Sequence, residues 1–209
     1  IVPTSIASVL THHKFNAVDV DIVKNYGIHV IIGVIFGAIF AASLDTKSLI
    51  LFFITVIYLL AIYLLFIKEK ETQINFKISF LTKMIFGFAV GFISAPMGIG
   101  GAIMNVPILK YFGYSINRAI GSAAAIGFFI AFFGAIGFLI LGSLLKANLP
   151  LSIGFINIPA FLIFIPITTI MAKVGASTVH KIEKKKISKL FGIFLVIVAS
   201  KLLYDYFQL

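Results

Sequence analysis

Apolar residues run along this chain in blocks too long for the core of a water-soluble domain, and polar residues gather between them. Residues 26–43, 49–67, 118–142, 153–172 and 187–207 each approach or reach the ~18–20 residues that span a bilayer as a helix. Residues 78–95 form a further apolar block, and shorter apolar helices are predicted at 1–11, interrupted at Pro3-Thr4-Ser5, and at 102–112. The connections are a mixed-charge loop at 12–24, a tight turn at Asp45-Thr46-Lys47, the charged stretch KEKETQINFK at 68–77, a turn at 113–117 and a basic loop at 174–186. A membrane β-barrel would alternate apolar and polar positions over ~10-residue segments, which this chain does not do. The expected fold is all-α: a polytopic membrane helix bundle.

Composition sharpens this picture. The chain is 61% hydrophobic and only 11% charged, with a mean hydropathy of +1.14. Its net charge of +10 falls in the loops, so it reads as a topology signal and not as a nucleic-acid surface. There is no cysteine, hence no disulfide and no thiolate chemistry. Asp19, Asp21, Asp45, Glu69, Glu71, Glu183 and Asp205 all fall in loops or at the ends of spans. None offers a membrane-buried carboxylate for a proton or sodium relay, or for an intramembrane aspartyl protease. HExxH and GxSxG are also missing, so an enzyme is the weakest class, and no metal or cofactor is expected. The first residue, Ile1, already belongs to an apolar segment, with neither a methionine nor a signal peptide before it. The expectation is a chain that lacks the N-terminal part of a longer protein.

The stretch that departs most from this plan is Ser94-Ala95-Pro96-Met97-Gly98-Ile99-Gly100-Gly101, set inside apolar sequence. Pro96 lacks an N–H, and three glycines in four residues disfavour a continuous helix. In hydrocarbon an unpaired backbone group costs several kcal/mol, so irregular backbone persists only against protein or a water-filled cavity. Broken helices at membrane depth also form the substrate sites of many secondary transporters. A new helix is predicted to start near Gly101-Ala102. Its first N–H groups lack partners and carry the positive end of the helix dipole, a setting that favours an anion. Asn105, one turn in, is placed to donate to a ligand, or to clip two helices together. Pro107 removes the N–H that would bond Ile103, so a bend is expected there. His12 and His13, beside Lys14, read as a solvated pair or as a basic vestibule. His29 reads as an interfacial packing residue, or as one that titrates or binds substrate. Arg118 reads as a snorkelling anchor or an anion-steering group. The GxxxG pairs Gly33/Gly37 and Gly87/Gly91 mark close helix approaches.

If 78–95 enters the membrane and 102–112 returns to the same side, all Lys and Arg but Lys47, Lys146 and Lys201 share one face. A single net crossing would divide the 17 almost evenly. The positive-inside rule favours the re-entrant arrangement, with the loops at 12–24, 68–77 and 174–186 cytoplasmic. That arrangement inverts the second half against the first, so that 1–11 corresponds to 118–142 and the span after Asp45 to the last span. The halves are then 1–67, the linker 68–77, and 78–209. Inverted repeats around broken helices are a transporter architecture.

GFAVGFISAPMGIGGAIMNVP, from Gly87 to Pro107, resembles the glycine signature of the sulfite exporter TauE/SafE family. RAIGSA, from Arg118, resembles that family's following A-x-G-T-S-like segment, and HHKFNAVD, from His12 to Asp19, its H-x-x-x-G-N-V-D region. The resemblance covers nearly the whole chain. The chain departs from the pattern at Ala95 and Ala102, where glycine is common, at Pro96, and at Ser122-Ala123. The resemblance implies a duplicated bundle of about eight helices that transports a small anion such as sulfite or an organosulfur or carboxylate compound. Its substrate site would involve Ser94, Pro96, Gly98, Gly100, Gly101 and Asn105, with Thr4, Ser5 and Ser122 from the accompanying segments. Working by alternating access in a bacterial inner membrane, such a permease has the lipid bilayer and the anion as its partners, and no nucleic acid. The alternative is a non-transporting membrane subunit that docks a partner through its glycine-lined helix faces.

Overall fold

The computed structural model describes residues 1–66, 79–146, 149–178 and 184–208. The polar linker expected at 68–77 lies outside them, as do residues 179–183 of the basic loop. Among the described residues the helices are α1 (Val2–Lys14), α2 (Val20–Ser43), α3 (Thr46–Phe66), α4 (Phe80–Met97), α5 (Ala102–Tyr111), α6 (Ile116–Leu144), α7 (Ile158–Thr178) and α8 (Lys184–Tyr206). A two-stranded antiparallel hairpin, β1 (Ser152–Ile153) and β2 (Ile156–Asn157), precedes α7. Apart from this hairpin the described chain is an all-α bundle. Among the described residues, five helices, α2, α3, α4, α6 and the Ile158–Gly175 part of α7, are long and apolar enough to cross a membrane. The chain is a multi-pass membrane protein. α8 has sufficient length but opens on a run of lysines and is not among the five.

The helix starts follow from capping chemistry. Asp19 caps α2, its Oδ1 accepting the N–H groups of Asp21 (3.1 Å) and Ile22 (3.3 Å). Asp45 caps α3, accepting the N–H of Ser48 at 3.1 Å and its hydroxyl at 2.6 Å. Two of the loop acids of the sequence are therefore helix caps. Asn157 caps α7 through the N–H of Ala160 at 2.9 Å, and Pro159 occupies the first turn, where its missing N–H is not needed. The span expected from residue 153 therefore begins only at Ile158, because Gly154 (φ 59°) first turns the hairpin. Pro3 likewise sits in the first turn of α1, which runs unbroken through Thr4 and Ser5 instead of being interrupted there.

Two compact units are present. One holds α1, α2, α4–α7 and the hairpin, and the other pairs α3 with α8. In the second unit the Tyr58 and Ser200 hydroxyls meet at 2.9 Å, and Gly192 lets α8 approach the Leu64 and Leu65 side chains. In the first unit α6 is the hub, packing against α1, α4, α5 and the hairpin. The core there gathers Ile22, Tyr26, Val30, Val34, Val90, Leu109, Ala123 and Ile126 from four of the helices.

Helices α2 and α4 are interlocked at Gly33, Gly37, Gly87 and Gly91. A Cβ on Gly33 or Gly37 would strike the backbone of Phe88 or Phe92, and one on Gly91 would strike the backbone of Val30. Gly87 lies under the Cβ of His29. Only glycine allows backbones this close. Pro96 adds a reason for the contact: with no N–H of its own, it leaves the carbonyl of Phe92 without an α-helical donor, and that carbonyl abuts Gly37.

Candidate functional site

The break is shorter than the sequence implied. α4 continues through Pro96 to Met97 and ends in Gly98, whose φ of 59° makes it a left-handed cap. α5 begins after Gly101, also left-handed at φ 67°. These two positions require glycine, since a Cβ there meets its own backbone. Gly100 is different. Its φ is not positive, and a Cβ there would have no atom within 4 Å. The linking residues are held by a Gly101 N–H to Ile99 carbonyl bond of 2.7 Å, and the Gly101 carbonyl accepts from Asn105 at 2.8 Å and Met104 at 3.2 Å.

α5 has no side-chain cap. The N–H groups of Ala102 and Ile103 precede the first carbonyl their own helix could offer. Ala102 is exposed and Ile103 half-buried, so this helix end is reachable. Packing fixes its position: Gly127 of α6 rests on the Gly100 carbonyl, and Ile130 of α6 faces Gly101. From α1, the Ile1 side chain comes within 3.9 Å of a Cβ placed on Gly98.

Two polar side chains converge on this corner. Ser94 opens the last turn of α4, and Asn105 stands one turn into α5. Both are fully buried, and neither Ser94 Oγ nor Asn105 Nδ2 has a hydrogen-bond partner. A Cβ placed on Gly101 would lie 3.0 Å from Asn105 Nδ2 and 3.3 Å from Ser94 Oγ, so both groups face the same point. Leaving such a group unsatisfied in a protein interior costs about 1–3 kcal/mol. The other end of the amide is satisfied: Tyr26 Oη, from α2, donates to Asn105 Oδ1 at 3.1 Å. The corner thus presents a hydroxyl, an amide NH2 and a helix N-terminus, with no carboxylate among them.

The remaining sequence candidates make other hydrogen bonds. Thr4 Oγ1 donates to Thr168 Oγ1 at 2.9 Å, joining α1 to α7, and Ser5 Oγ donates to the Val2 carbonyl at 2.8 Å. Ser122 Oγ accepts the N–H of Asp19 at 2.9 Å. Asp19 also faces Arg118 at 3.5 Å, and Gly121 rests against the backbone of Ala17. The HHKFNAVD and RAIGSA segments are therefore in mutual contact, locking the α1–α2 connection onto the start of α6. Arg118 is largely exposed and engaged by Asp19. Nearby, burial and the Asp19 charge raise the Tyr114 phenol above its usual range, against an opposing pull from Arg118. His12 is buried and not solvated, while His29 Nδ1 donates to the Asn25 carbonyl (3.1 Å) and its ring meets Phe80 edge-on. Sequence reasoning missed Tyr26, Gly127 and Ile130. Tyr26 stood at the edge of an apolar block, where tyrosine ordinarily marks the membrane interface.

Comparison with known proteins places the whole arrangement. The sulfite exporter TauE/SafE family profile matches residues 1–202. The chain is 30% identical over 200 residues to a protein of Haemophilus influenzae described as "Probable membrane transporter protein", covering 95% of this chain and 75% of that relative. No solved structure matches. The glycine-rich break, its supporting helices and the two locked segments all lie within the matched span, and the chain belongs to the sulfite exporter TauE/SafE family of membrane transporters.

Proposed function

We propose that this transporter carries a small anion, such as sulfite or an organosulfur or carboxylate compound, and binds it at the N-terminus of α5. The observation that supports this most is the convergence of two buried, unpartnered groups, Ser94 Oγ and Asn105 Nδ2, beside an uncapped helix start. Partial positive charge at the helix end and neutral donors suit an anion of low charge. With no carboxylate at the corner, a cation lacks a charged ligand there.

The mechanism in this proposal is alternating access, on the reading of the two halves as inverted repeats. The helices paired by the inverted-repeat reading, α1 with α6 and α3 with α8, pack on each other, as equivalent elements do around a pseudo-two-fold axis. The non-transporting-subunit alternative needs free glycine faces for docking. Gly33, Gly37, Gly87 and Gly91 are instead occupied by the α2–α4 contact, which favours transport. The topology in this reading is that of a bacterial inner-membrane protein with the lysine-rich loops cytoplasmic.

The test is anion flux into proteoliposomes carrying purified, monodisperse protein, with sulfite, acetate and chloride as probes. Asn105→Ala should weaken the preferred anion by up to about tenfold, the worth of a neutral hydrogen bond of about 0.5–1.5 kcal/mol. Flux of a cation in place of any anion would end the proposal.

A further inference from the structure

Asn105 can serve an anion only if its NH2 group, and not its carbonyl, faces the corner. An amide is nearly symmetric in shape, and nothing in its packing alone distinguishes the two ends. The distinction comes from α2. Tyr26 is fully buried, its ring meets Phe112 edge-on at 5.9 Å, and its hydroxyl reaches Asn105 Oδ1 at 3.1 Å. A phenol oxygen can also accept from an NH2, but with the amide reversed the buried Tyr26 hydrogen would lose its acceptor, so this bond favours the carbonyl end toward α2 and Nδ2 toward Ser94 Oγ and Gly101. With the amide reversed, the corner would offer a carbonyl oxygen and repel an anion.

We infer that Tyr26 is a positioning residue for substrate selectivity: by its hydrogen bond to Asn105 it sets the amide so that the corner donates to an anion. It does not touch the substrate. The inference rests on the anion reading above and assigns α2, in the first half of the chain, a role at the break in the second. Tyr26 is also the only link described between the α5 corner and a side chain of α2 that is made by hydrogen bonding among the described residues. A shift of α2 against α5 would release the amide, so the same bond couples helix position to the polarity of the site.

Three variants test this on the purified, full chain, with anion binding by calorimetry, flux, and thermal stability measured together. The probe is whichever of sulfite, acetate and chloride the wild type prefers. Tyr26→Phe keeps the ring and its contact with Phe112 but removes the hydroxyl. It should weaken anion binding about tenfold, with maximal flux at saturating anion nearly unchanged, and should narrow the preference among the three anions. In an Asn105→Ala background the same change should have no further effect, because there is no amide left to orient. Asn105→Asp keeps an acceptor for Tyr26 and exchanges the NH2 for a carboxyl group whose ionised form repels an anion, so it should abolish binding at high pH, with a lowered melting temperature because the carboxylate is buried. This variant tests the orientation even if Tyr26→Phe does not yield monodisperse protein. Equal losses from Tyr26→Phe with and without Asn105 would show a packing role and overturn the inference. So would retained binding in Asn105→Asp. Wild-type binding in Tyr26→Phe, with Asn105→Ala impaired, would overturn the role of Tyr26 and leave the anion site standing. Wild-type binding in both would remove the site itself.

Discussion

The two left-handed glycines and the one ordinary glycine of the break separate folding from function at single-residue scale. Gly101→Ala adds a Cβ in the left-handed region, at roughly 1–2 kcal/mol, and drives it against Ile130 and toward Asn105 and Ser94. It should lower the melting temperature and impair transport together. Gly100→Ala meets open space and should leave the melting temperature unchanged. A fluorescence-monitored melt of the two variants side by side checks the contrast, and an equal loss in both would contradict the assigned geometry. The glycine run and Asn105 were legible as a helix break in the sequence, because proline and glycine carry their conformational meaning locally. Which glycine bears the strain was not legible, since Gly100 and Gly101 pack against Gly127 and Ile130 of α6, residues remote in sequence. The pairing of Tyr26 with Asn105 is equally non-local, and a lone tyrosine at a block edge carries no local mark of it. Thr4, Ser5 and Ser122 were named for their motif neighbourhood, and what their hydroxyls bond, Thr168, the Val2 carbonyl and the Asp19 N–H, was set by contacts the motifs do not carry.

Helices and their junctions follow from short-range rules, and these were mostly legible. The apolar blocks set the helix list, and the GxxxG spacings correctly marked a close approach, although not that the two pairs face each other. Gly37→Val or Gly91→Val should push α2 and α4 apart through backbone contacts, at no less than the ~1–3 kcal/mol typical of overpacking. The expected outcome is aggregated or polydisperse protein in size-exclusion chromatography, in contrast to the monodisperse Gly100→Ala. The start of α3 makes a separate prediction. Hydrogen bonds from the Ser48 hydroxyl and then its N–H hold the Asp45 carboxyl below the usual carboxylate range. A depressed pKa stabilises the fold above the unfolded value and ceases to do so as pH falls through the folded value. Acidification below the ordinary carboxylate range should therefore fray the start of α3, and Ser48→Ala should move that loss to higher pH, followed by hydrogen exchange of the α3 N–H groups. The hairpin before α7 escaped the periodicity because two-residue strands are too short to show one, although Gly154 and Asn157 are the turn and cap residues that shape it.

At the scale of the whole molecule, charge and apolarity describe how the chain meets the bilayer. α7 has none of its spanning window buried inside the chain, and α3 only 17%, so both present apolar surface outward as lipid-facing helices do. The positive-inside reading makes a direct prediction on a chain without cysteine. His13→Cys, at an exposed position on the lysine-rich side, should be protected from an impermeant thiol reagent in intact cells. Lys47→Cys and Lys146→Cys should be labelled, and the reverse pattern would invert the topology. The membrane potential offers a further readout. With no carboxylate at the corner to carry a compensating proton, movement of an anion should be electrogenic, and flux in vesicles should respond to an imposed potential.

The central claim is that an anion binds at the uncapped start of α5, and Gly100→Val tests it most directly. The backbone here is not left-handed and a Cβ meets no atom within 4 Å, so valine adds bulk in open space two residues before the helix start, where Ala102 is exposed and Ile103 half-buried. Calorimetric titration of the purified variant and wild type with sulfite, acetate and chloride, alongside a thermal melt, gives both quantities needed. Losing a charge-assisted hydrogen bond of about 1.5–3 kcal/mol should weaken the preferred anion roughly ten- to a hundredfold, with the melting temperature held. Wild-type affinity in Gly100→Val would contradict the account and leave the break as a packing feature alone.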